Sequence, residues 1–284
     1  MIQYCALASG SNGNSYYVSK NGKGILIDIG INSKQLHLRM ASVGVDPCSI
    51  EAIFITHEHV DHIAGLSVFT KKYQIPVFMT KGTYESCAHL IPAYLINIIA
   101  SNSCVQIGEL AIYGIPKIHD AKEPCSFLVS DGKTNIAVLT DLGSVCANVQ
   151  RAISLSDILI LESNYDEFML KNGRYPYYLK NRISGGMGHL SNSICLKALL
   201  ENKSARLKHL ILGHLSGENN RVDLVYETFA AHSTTFTLSV AERHQATSLY
   251  RYESVEIHRE QSLQVEKIGE TIVVQESYFL SGSI

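Results

Sequence analysis

The chain has 284 residues, 46% of them apolar and 18% charged, with a net charge of -2. That supplies an ordinary globular core, in one large domain or two small ones, and excludes a protein that holds nucleic acid by bulk charge, though not one with a local basic groove. The start, Met1-Ile2-Gln3-Tyr4-Cys5, has no basic segment ahead of a long apolar stretch, so no secretory signal is expected, and no apolar run approaches the ~20 residues of a membrane helix.

Ile25-Leu26-Ile27 is a compact buried strand that ends in Asp28-Ile29-Gly30. Helical spacing follows over 33–43 (Leu36, Met40, Val43), with Asn32 or Ser33 as the cap and Gly44 as the stop. Ala52-Ile53-Phe54-Ile55 is a second buried strand, and a histidine cluster follows it at once. The most apolar stretch, 90–100, is broken by Pro92 and Asn97. Asp131-Gly132 marks a hairpin between strands at 127–129 and 136–139. Further strands are expected at 158–161, ending in Glu162, and at 210–212, ending in Gly213-His214. Helical patterns lie at 144–153, 191–202 and 220–232. This alternation indicates an α/β class. With no linker and no repeat, the reading is a single domain over 1–284, with an alternating extension of added strands at about 244–284 (Leu249, Arg251, Glu253, Val255, Ile257). Seven cysteines, none in C-x-x-C spacing, read as buried free thiols of a reducing cytoplasm.

The chemistry concentrates in His57-Glu58-His59-Val60-Asp61-His62. His57, His59, Asp61 and His62 place four potential ligands in six residues, and imidazole with carboxylate suits zinc, manganese or iron. Alternate positions of an extended loop point the same way, so His57 and His59 can grip one ion while Asp61 and His62 turn toward a second. The cluster sits at a strand's C-terminal end, where rigid strands hold catalytic loops.

Thr56-His57-Glu58-His59-Val60-Asp61-His62 resembles the signature of the metallo-β-lactamase-fold superfamily. The resemblance implies a four-layer αββα sandwich with two metals at one edge of its paired sheets. By position, it makes His119 the third histidine of the first site, Asp141 the bridging carboxylate, His214 the last histidine of the second site, and Asp28 the carboxylate bracing the histidine loop. Asp rather than Cys at 141, and His at 59 and 62, depart from the lactam-hydrolysing and flavodiiron patterns and point to the phosphodiesterases. Glu162-Ser163-Asn164-Tyr165 and Gly188-His189-Leu190-Ser191-Asn192 resemble motifs of nucleic-acid-cleaving members. With the loop Ser9–Ser15, Tyr175-Pro176 and His214–Asn220, they are similar to the YycJ/WalJ subfamily over about residues 1–240. That likeness implies an exonuclease acting on DNA, usually 5′→3′. About 70 residues separate Asp141 from His214, too few for the clamp domain of the β-CASP nucleases, and no glycine- and proline-rich arm of the transfer-RNA enzymes is present.

The expected mechanism is a hydroxide held between two divalent ions ~3.5–4 Å apart, zinc first, then manganese, then iron, attacking a phosphodiester. Asp61 would orient that hydroxide, His189 would protonate the leaving oxygen, and Glu162 would hold His189 in the right tautomer. Ser11, Asn12 and Asn14 offer a phosphate cradle, and Arg174, Lys180 and Arg182 a track for the backbone of a nucleic acid, DNA rather than RNA. A cytoplasmic location without membrane contact is expected, and the number of subunits is left open. The rivals are a thioesterase, lactonase or small-molecule phosphodiesterase on the same metals, and a structural zinc protein. The last fits poorly, because structural zinc sites are closed four-ligand cages rich in Cys.

Overall fold

The computed structural model describes residues 1–253. Their strands alternate side chains between two buried faces. In chain order they are β1 (Ile2–Ala8), β2 (Ser15–Lys20), β3 (Lys23–Ile27), β4 (Ile50–Phe54), β5 (Val77–Thr80) and β6 (Ile96–Ile99), then β7 (Cys104–Ile107), β8 (Leu110–Pro116), β9 (Cys125–Ser130), β10 (Asn135–Leu139), β11 (Ile158–Glu162), β12 (His209–Gly213), β13 (Thr237–Val240) and β14 (Tyr250–Tyr252). One sheet runs β14-β1-β2-β3-β4-β5-β6 and the other β13-β12-β11-β10-β9-β8-β7.

Each central strand is apolar on both faces, as strands covered on both sides are. Ile25, Ile27, Phe54, Phe127, Val138 and Ile160 meet between the sheets. Their neighbours Leu26, Ile53 and Ile55 face outward against Leu36 and Met40 of α1 (Ser33–Ser42) and Phe69 of α3 (Leu66–Tyr73), beyond the short α2 (Val60–Ile63). The same sheet continues into α4 (Lys81–Cys87). On the other side Leu139, Leu159 and Leu161 face α5 (Ala147–Leu155), α8 (Asn192–Asn202) and α9 (Val222–Phe229). Between α5 and α8 lie α6 (Glu167–Asn172) and α7 (Tyr177–Ser184). The order helix, sheet, sheet, helix is the expected αββα sandwich.

The expected helices correspond to α1, α5, α8 and α9. Asn32 caps α1 by accepting from Gln35 N, and Gly44 at φ +72 ends it. The hairpin stands between β9 and β10, with Gly132 at φ +83. The broken stretch at 90–100 becomes two short turns and β6, an outermost strand. Of the alternating tail, Tyr250–Tyr252 pairs antiparallel with β1, while Val255, Ile257 and the rest to 284 lie outside the described residues. All seven cysteines are free, but only Cys5, Cys87, Cys125 and Cys195 are buried; Cys48 and Cys104 are exposed, a departure from the expected buried set. No helix among the described residues is long and apolar enough to cross a membrane.

What positions the site is pairing direction. β3, β4, β5 and β6 are parallel to one another, as are β10, β11, β12 and β13, so each group ends along one edge.

The opposite end of β12 carries a pH-sensitive contact. His209 Nδ1 lies 2.8 Å from Tyr4 Oη and Nε2 lies 2.8 Å from Ser239 Oγ, in a side chain 4% exposed. Burial lowers its pKa from 6.5 to about 4. The folded chain therefore keeps the ring neutral while the unfolded chain takes up a proton below pH 6.5. This contribution to stability is complete above that pH and is lost as pH falls toward 4, amounting to about 3 kcal/mol at most. Urea unfolding of metal-chelated wild type and His209→Gln at pH 7 and pH 4.5 should show the stability gap shrinking at the lower pH. A gap that does not change with pH would refute this account.

Candidate metal centre

The expected metal ligands, with Asp28 and Glu162, lie at or just past strand ends, while His189 comes from the loop between α7 and α8. Asp28 follows β3, His57 to Asp61 lead from β4 into α2, and His119 lies just past β8. Asp141 follows β10, Glu162 is the last residue of β11, and His214 follows β12. Asp28, Asp141 and His214 have left-handed backbones, with φ of +62, +55 and +56. Such conformations are uncommon outside glycine and persist where the surroundings over-determine them. Here they turn the chain out of its strand at once, so each side chain stays at the edge. The loops also pack tightly: a Cβ on Gly30 would lie 1.6 Å from the carbonyl oxygen of Asp61, which instead accepts from Asn14 N at 2.8 Å.

Two adjoining groups of donor atoms match the expected ligands, His57 with His59 and His119, and Asp61 with His62, Asp141 and His214; a third, overlapping group joins Asp141 and His214 to Glu162 and His189. Hydrogen bonds on the far side of each ring decide which nitrogen is free. His62 Nδ1 donates to Asp28 Oδ2 at 2.7 Å, His214 Nδ1 to Glu162 Oε1 at 2.9 Å, and His119 Nδ1 to the Gly188 carbonyl at 3.0 Å. Thr56 gives its hydroxyl proton to Asp28 at 2.8 Å, so its Oγ1 accepts from His57 Nδ1 at 2.9 Å. Each acceptor fixes a tautomer whose Nε2 lone pair faces inward. His57 Nε2 and His119 Nε2 lie 3.0 Å and 3.3 Å from His59 Nδ1. His62 Nε2 lies 3.1 Å from Asp141 Oδ2, and His214 Nε2 3.4 Å from Asp141 Oδ1.

Charge separates the two groups. Burial holds His57 neutral, well below the ordinary 6.5, and lowers His119 to about 4. Burial also opposes charge on His62 and His214, but Asp141 and the other nearby carboxylates outweigh it, raising the first well above 6.5 and the second to about 10. Asp61 and Asp141 are lowered against burial, the first chiefly by His62 and the second by His214 and His62. A field that favours positive charge this strongly favours a cation. Asp141 Oδ2 and His214 Nε2 are buried without a hydrogen-bond partner, a costly state in a folded interior. Lone pairs converging at such distances, with orphaned atoms among them, fit divalent cations.

His189 stands beside this centre, its side chain 20% exposed, with Nδ1 2.7 Å from Glu162 Oε1. Glu162 is fully buried and also accepts at Oε2 from Leu142 N at 2.8 Å and Leu190 N at 3.2 Å. Burial raises its pKa, but His189 and His214 outweigh that and bring it to about 2. A cavity of about 170 Å³ opens over His189, with Ser11, Asn164, Tyr175, Arg182 and Ser216 in its wall.

The expected substrate contacts separate on this map. Ser11 and Arg182 reach the cavity, and Arg182 Nε donates to Asp120 Oδ2 at 2.6 Å. Asn12 accepts from Arg243 Nε at 3.1 Å. Asn14 is buried, bonded to Gly10, with its amide nitrogen 3.2 Å from His62 Nε2 and 3.4 Å from Asp61 Oδ2, beside the expected ligands. Arg174 is exposed, and Lys180 lies on the other side of α7, in the wall of a second cavity. Sequence reasoning missed Thr56 and the Gly188 carbonyl as ring-orienting acceptors. It also missed Ser9, whose Oγ accepts from His214 N at 2.8 Å, and Asn164, whose amide donates to the His214 carbonyl at 2.8 Å. Thr56 adjoins the histidine run and was within reach; a backbone carbonyl leaves no mark in a sequence.

Comparison with known proteins gives the family. The profile of the beta-lactamase superfamily domain matches residues 23–214. The chain is 32% identical to a Bacillus anthracis protein named exodeoxyribonuclease YycJ, over 78% of this chain and 86% of that one. It is likewise 32% identical to one of Streptococcus pneumoniae named exodeoxyribonuclease WalJ, over 80% and 86%. Among solved structures, the metallo-β-lactamase fold protein YhfI of Bacillus subtilis superposes with a TM-score of 0.67 at 16% identity, covering 87% of this chain and all of that one; this supports the fold alone. The chain belongs to the metallo-β-lactamase superfamily, as a YycJ/WalJ-like protein.

Proposed function

We propose that the protein is a metal-dependent phosphodiesterase that removes nucleotides from an end of DNA, in the 5′→3′ direction, in the cytoplasm. The observation that carries this reading is the pairing of His189 with Glu162 beside two converging donor groups. The relatives named exodeoxyribonucleases support it. His57, His59 and His119 would hold one ion, and Asp61, His62 and His214 a second, with Asp141 shared; zinc is favoured, then manganese, then iron. Bound ions would supply a water acidified toward neutrality and polarise the phosphoryl group.

The chain's own residues then have distinct tasks. Asp61 Oδ2, 3.5 Å from His62 Nε2 and 3.6 Å from His214 Nε2, orients the attacking water. Ser11, Ser216 and Arg182 hold the phosphate and its neighbours in the cavity. With Nδ1 committed to Glu162, His189 has Nε2 left to give a proton to the departing oxygen. That proton favours an alkoxide leaving group over a thiolate, which departs without one.

Purified protein should carry about two transition-metal ions per chain. With Mn²⁺ it should shorten end-labelled single-stranded DNA and leave lactams and glutathione thioesters nearly untouched. A single ion that persists under added zinc or manganese would refute the two-ion centre. Rapid thioester turnover with no nuclease activity would refute the phosphodiesterase.

A further inference from the structure

Outside the centre, the least expected feature of this surface is α7. It is eight residues long, buries none of them, and forms a wall between two cavities. Leu179, Arg182 and Ile183 face the cavity over His189. Tyr177, Lys180, Asn181 and Ser184 face the other, about 530 Å³, which Tyr165 and Lys171 help to line. Phe168, Tyr177 and Tyr178 are 75%, 78% and 74% exposed. Three large aromatic rings so close together in the chain are a costly thing to leave in water.

We infer that the surface of α6 and α7 is a stacking platform for the bases of single-stranded nucleic acid, on which the part of the substrate beyond the scissile bond lies. The inference rests on the nuclease reading and extends it. Aromatic faces interleaved with cations are what single strands bind, because every unpaired base has a π-face and every nucleotide a phosphate. Both elements are present. Lys171 stands one helical turn from Phe168, and Arg182 one turn from Tyr178. Lys180 lies on the same side of α7 as Tyr177, with Nζ donating to the Lys171 carbonyl at 2.7 Å, tying the two helices together. Arg174 is exposed on the link between them. The acidic groups beside the platform are occupied: Glu167 Oε1 accepts from Ser191 and Ser193 at 2.8 Å and 2.5 Å, and Asp120 Oδ2 accepts from Arg182 Nε at 2.6 Å, which leaves Lys171, Arg174 and Lys180 as the cations without a carboxylate partner among the described residues.

Continuity with the centre selects the occupant. Arg182 belongs to the cavity wall, Tyr178 precedes it by one turn on the same helix face, and Tyr177 lines the second cavity, so a strand leaving the first cavity along α7 would pass Tyr178 and then Tyr177. The bases must travel about one helix diameter, ~10 Å, to reach the far side. A small diester is too short to do so. A duplex hides its base faces and gains only the phosphate contacts.

The test uses the full chain with its metals, in a triple variant Phe168→Ala, Tyr177→Ala, Tyr178→Ala. All three positions are exposed, so thermal unfolding should match the wild type. Binding is read by anisotropy with a labelled oligothymidylate of ~12 nucleotides, in a His189→Ala background to prevent cleavage. Roughly tenfold weaker binding per lost stacked base is expected. In the active background KM for the oligonucleotide should rise with kcat unchanged, and hydrolysis of bis-p-nitrophenyl phosphate should keep its wild-type rate. The chain contains no Trp, so Tyr177→Trp should restore affinity and have its emission quenched by the oligonucleotide. Unchanged oligonucleotide affinity in the triple variant, or an equal loss on the small diester, would overturn the platform while leaving the nuclease reading intact. A wild-type dimer that the variant converts to monomer with unaltered affinity would also overturn it, assigning the surface to a second copy of the chain. If no phosphodiester is hydrolysed at all, the nuclease reading fails, and the binding measurement still decides the platform.

Discussion

An Asp141→Ala variant is expected to hold less than one ion per chain and to lose at least ~10³-fold in activity on any phosphodiester, since ions in such sites supply several kcal/mol. The carboxylate serves both groups. Oδ2 lies 3.1 Å from His62 Nε2, and Oδ1 lies 3.4 Å from His214 Nε2 and 3.8 Å from His119 Nε2. Thr56 Oγ1 also reaches both groups, at His57 Nδ1 and His62 Nδ1, but as a hydroxyl on the far side of the rings from the converging Nε2 atoms. Asp141 also has a left-handed backbone, which alanine tolerates poorly and asparagine well. Asp141→Asn therefore separates the two losses. It should keep the thermal stability of the metal-chelated wild type and still fail to bind a full complement of metal. Elemental analysis after gel filtration, with circular dichroism on the same sample, reads both. Full metal content with full activity in either variant would remove Asp141 from the centre.

How much of this was legible in the sequence follows from where the information lies. His57, His59, Asp61 and His62 could be read because their chemistry is compressed into one loop after an apolar strand. His119, Asp141 and His214 became readable through order: each follows a compact apolar run, and strands that are parallel end on one edge. Of the acceptors that fix the rings, Asp28 and Glu162 were readable as carboxylates at strand ends, but the Gly188 carbonyl was not, since it is backbone. Helix α7 was not legible because Tyr177-Tyr178-Leu179-Lys180-Asn181-Arg182-Ile183-Ser184 offers only Leu179 and Ile183 as an apolar pair, and neither is fully buried. Without the helix its phase was unknown, and Lys180 was grouped with Arg182 although the two face different cavities. β1 and β2 carry Tyr, Ser and Cys on buried faces, which masks the alternation that marks a strand.

His189→Ala is expected to keep its metals and to lose activity by an amount set by the leaving group. His189 Nδ1 is held by Glu162 at 2.7 Å, and the ring approaches Asp141 Oδ1 no closer than 3.9 Å, farther than the His62 and His214 nitrogens. Its removal should therefore leave the donor groups intact. His189 is itself a member of a third possible donor group, with Asp141, Glu162 and His214, so metal content must be measured in every sample. A sugar alkoxide is strongly basic and departs slowly without a proton, so on DNA the expected loss in kcat/KM is about 10²–10⁴-fold. A p-nitrophenolate leaves unaided, so bis-p-nitrophenyl phosphate should suffer far less. Glu162→Gln should fall between wild type and His189→Ala on DNA, because the ring remains but the carboxylate that orients it is gone. It should also weaken metal binding, since Glu162 holds His214 Nδ1 at 2.9 Å as well. Equal losses on the two substrates in His189→Ala would show that the ring positions substrate rather than delivering a proton. Loss of an ion from that variant would show that His189 is a ligand.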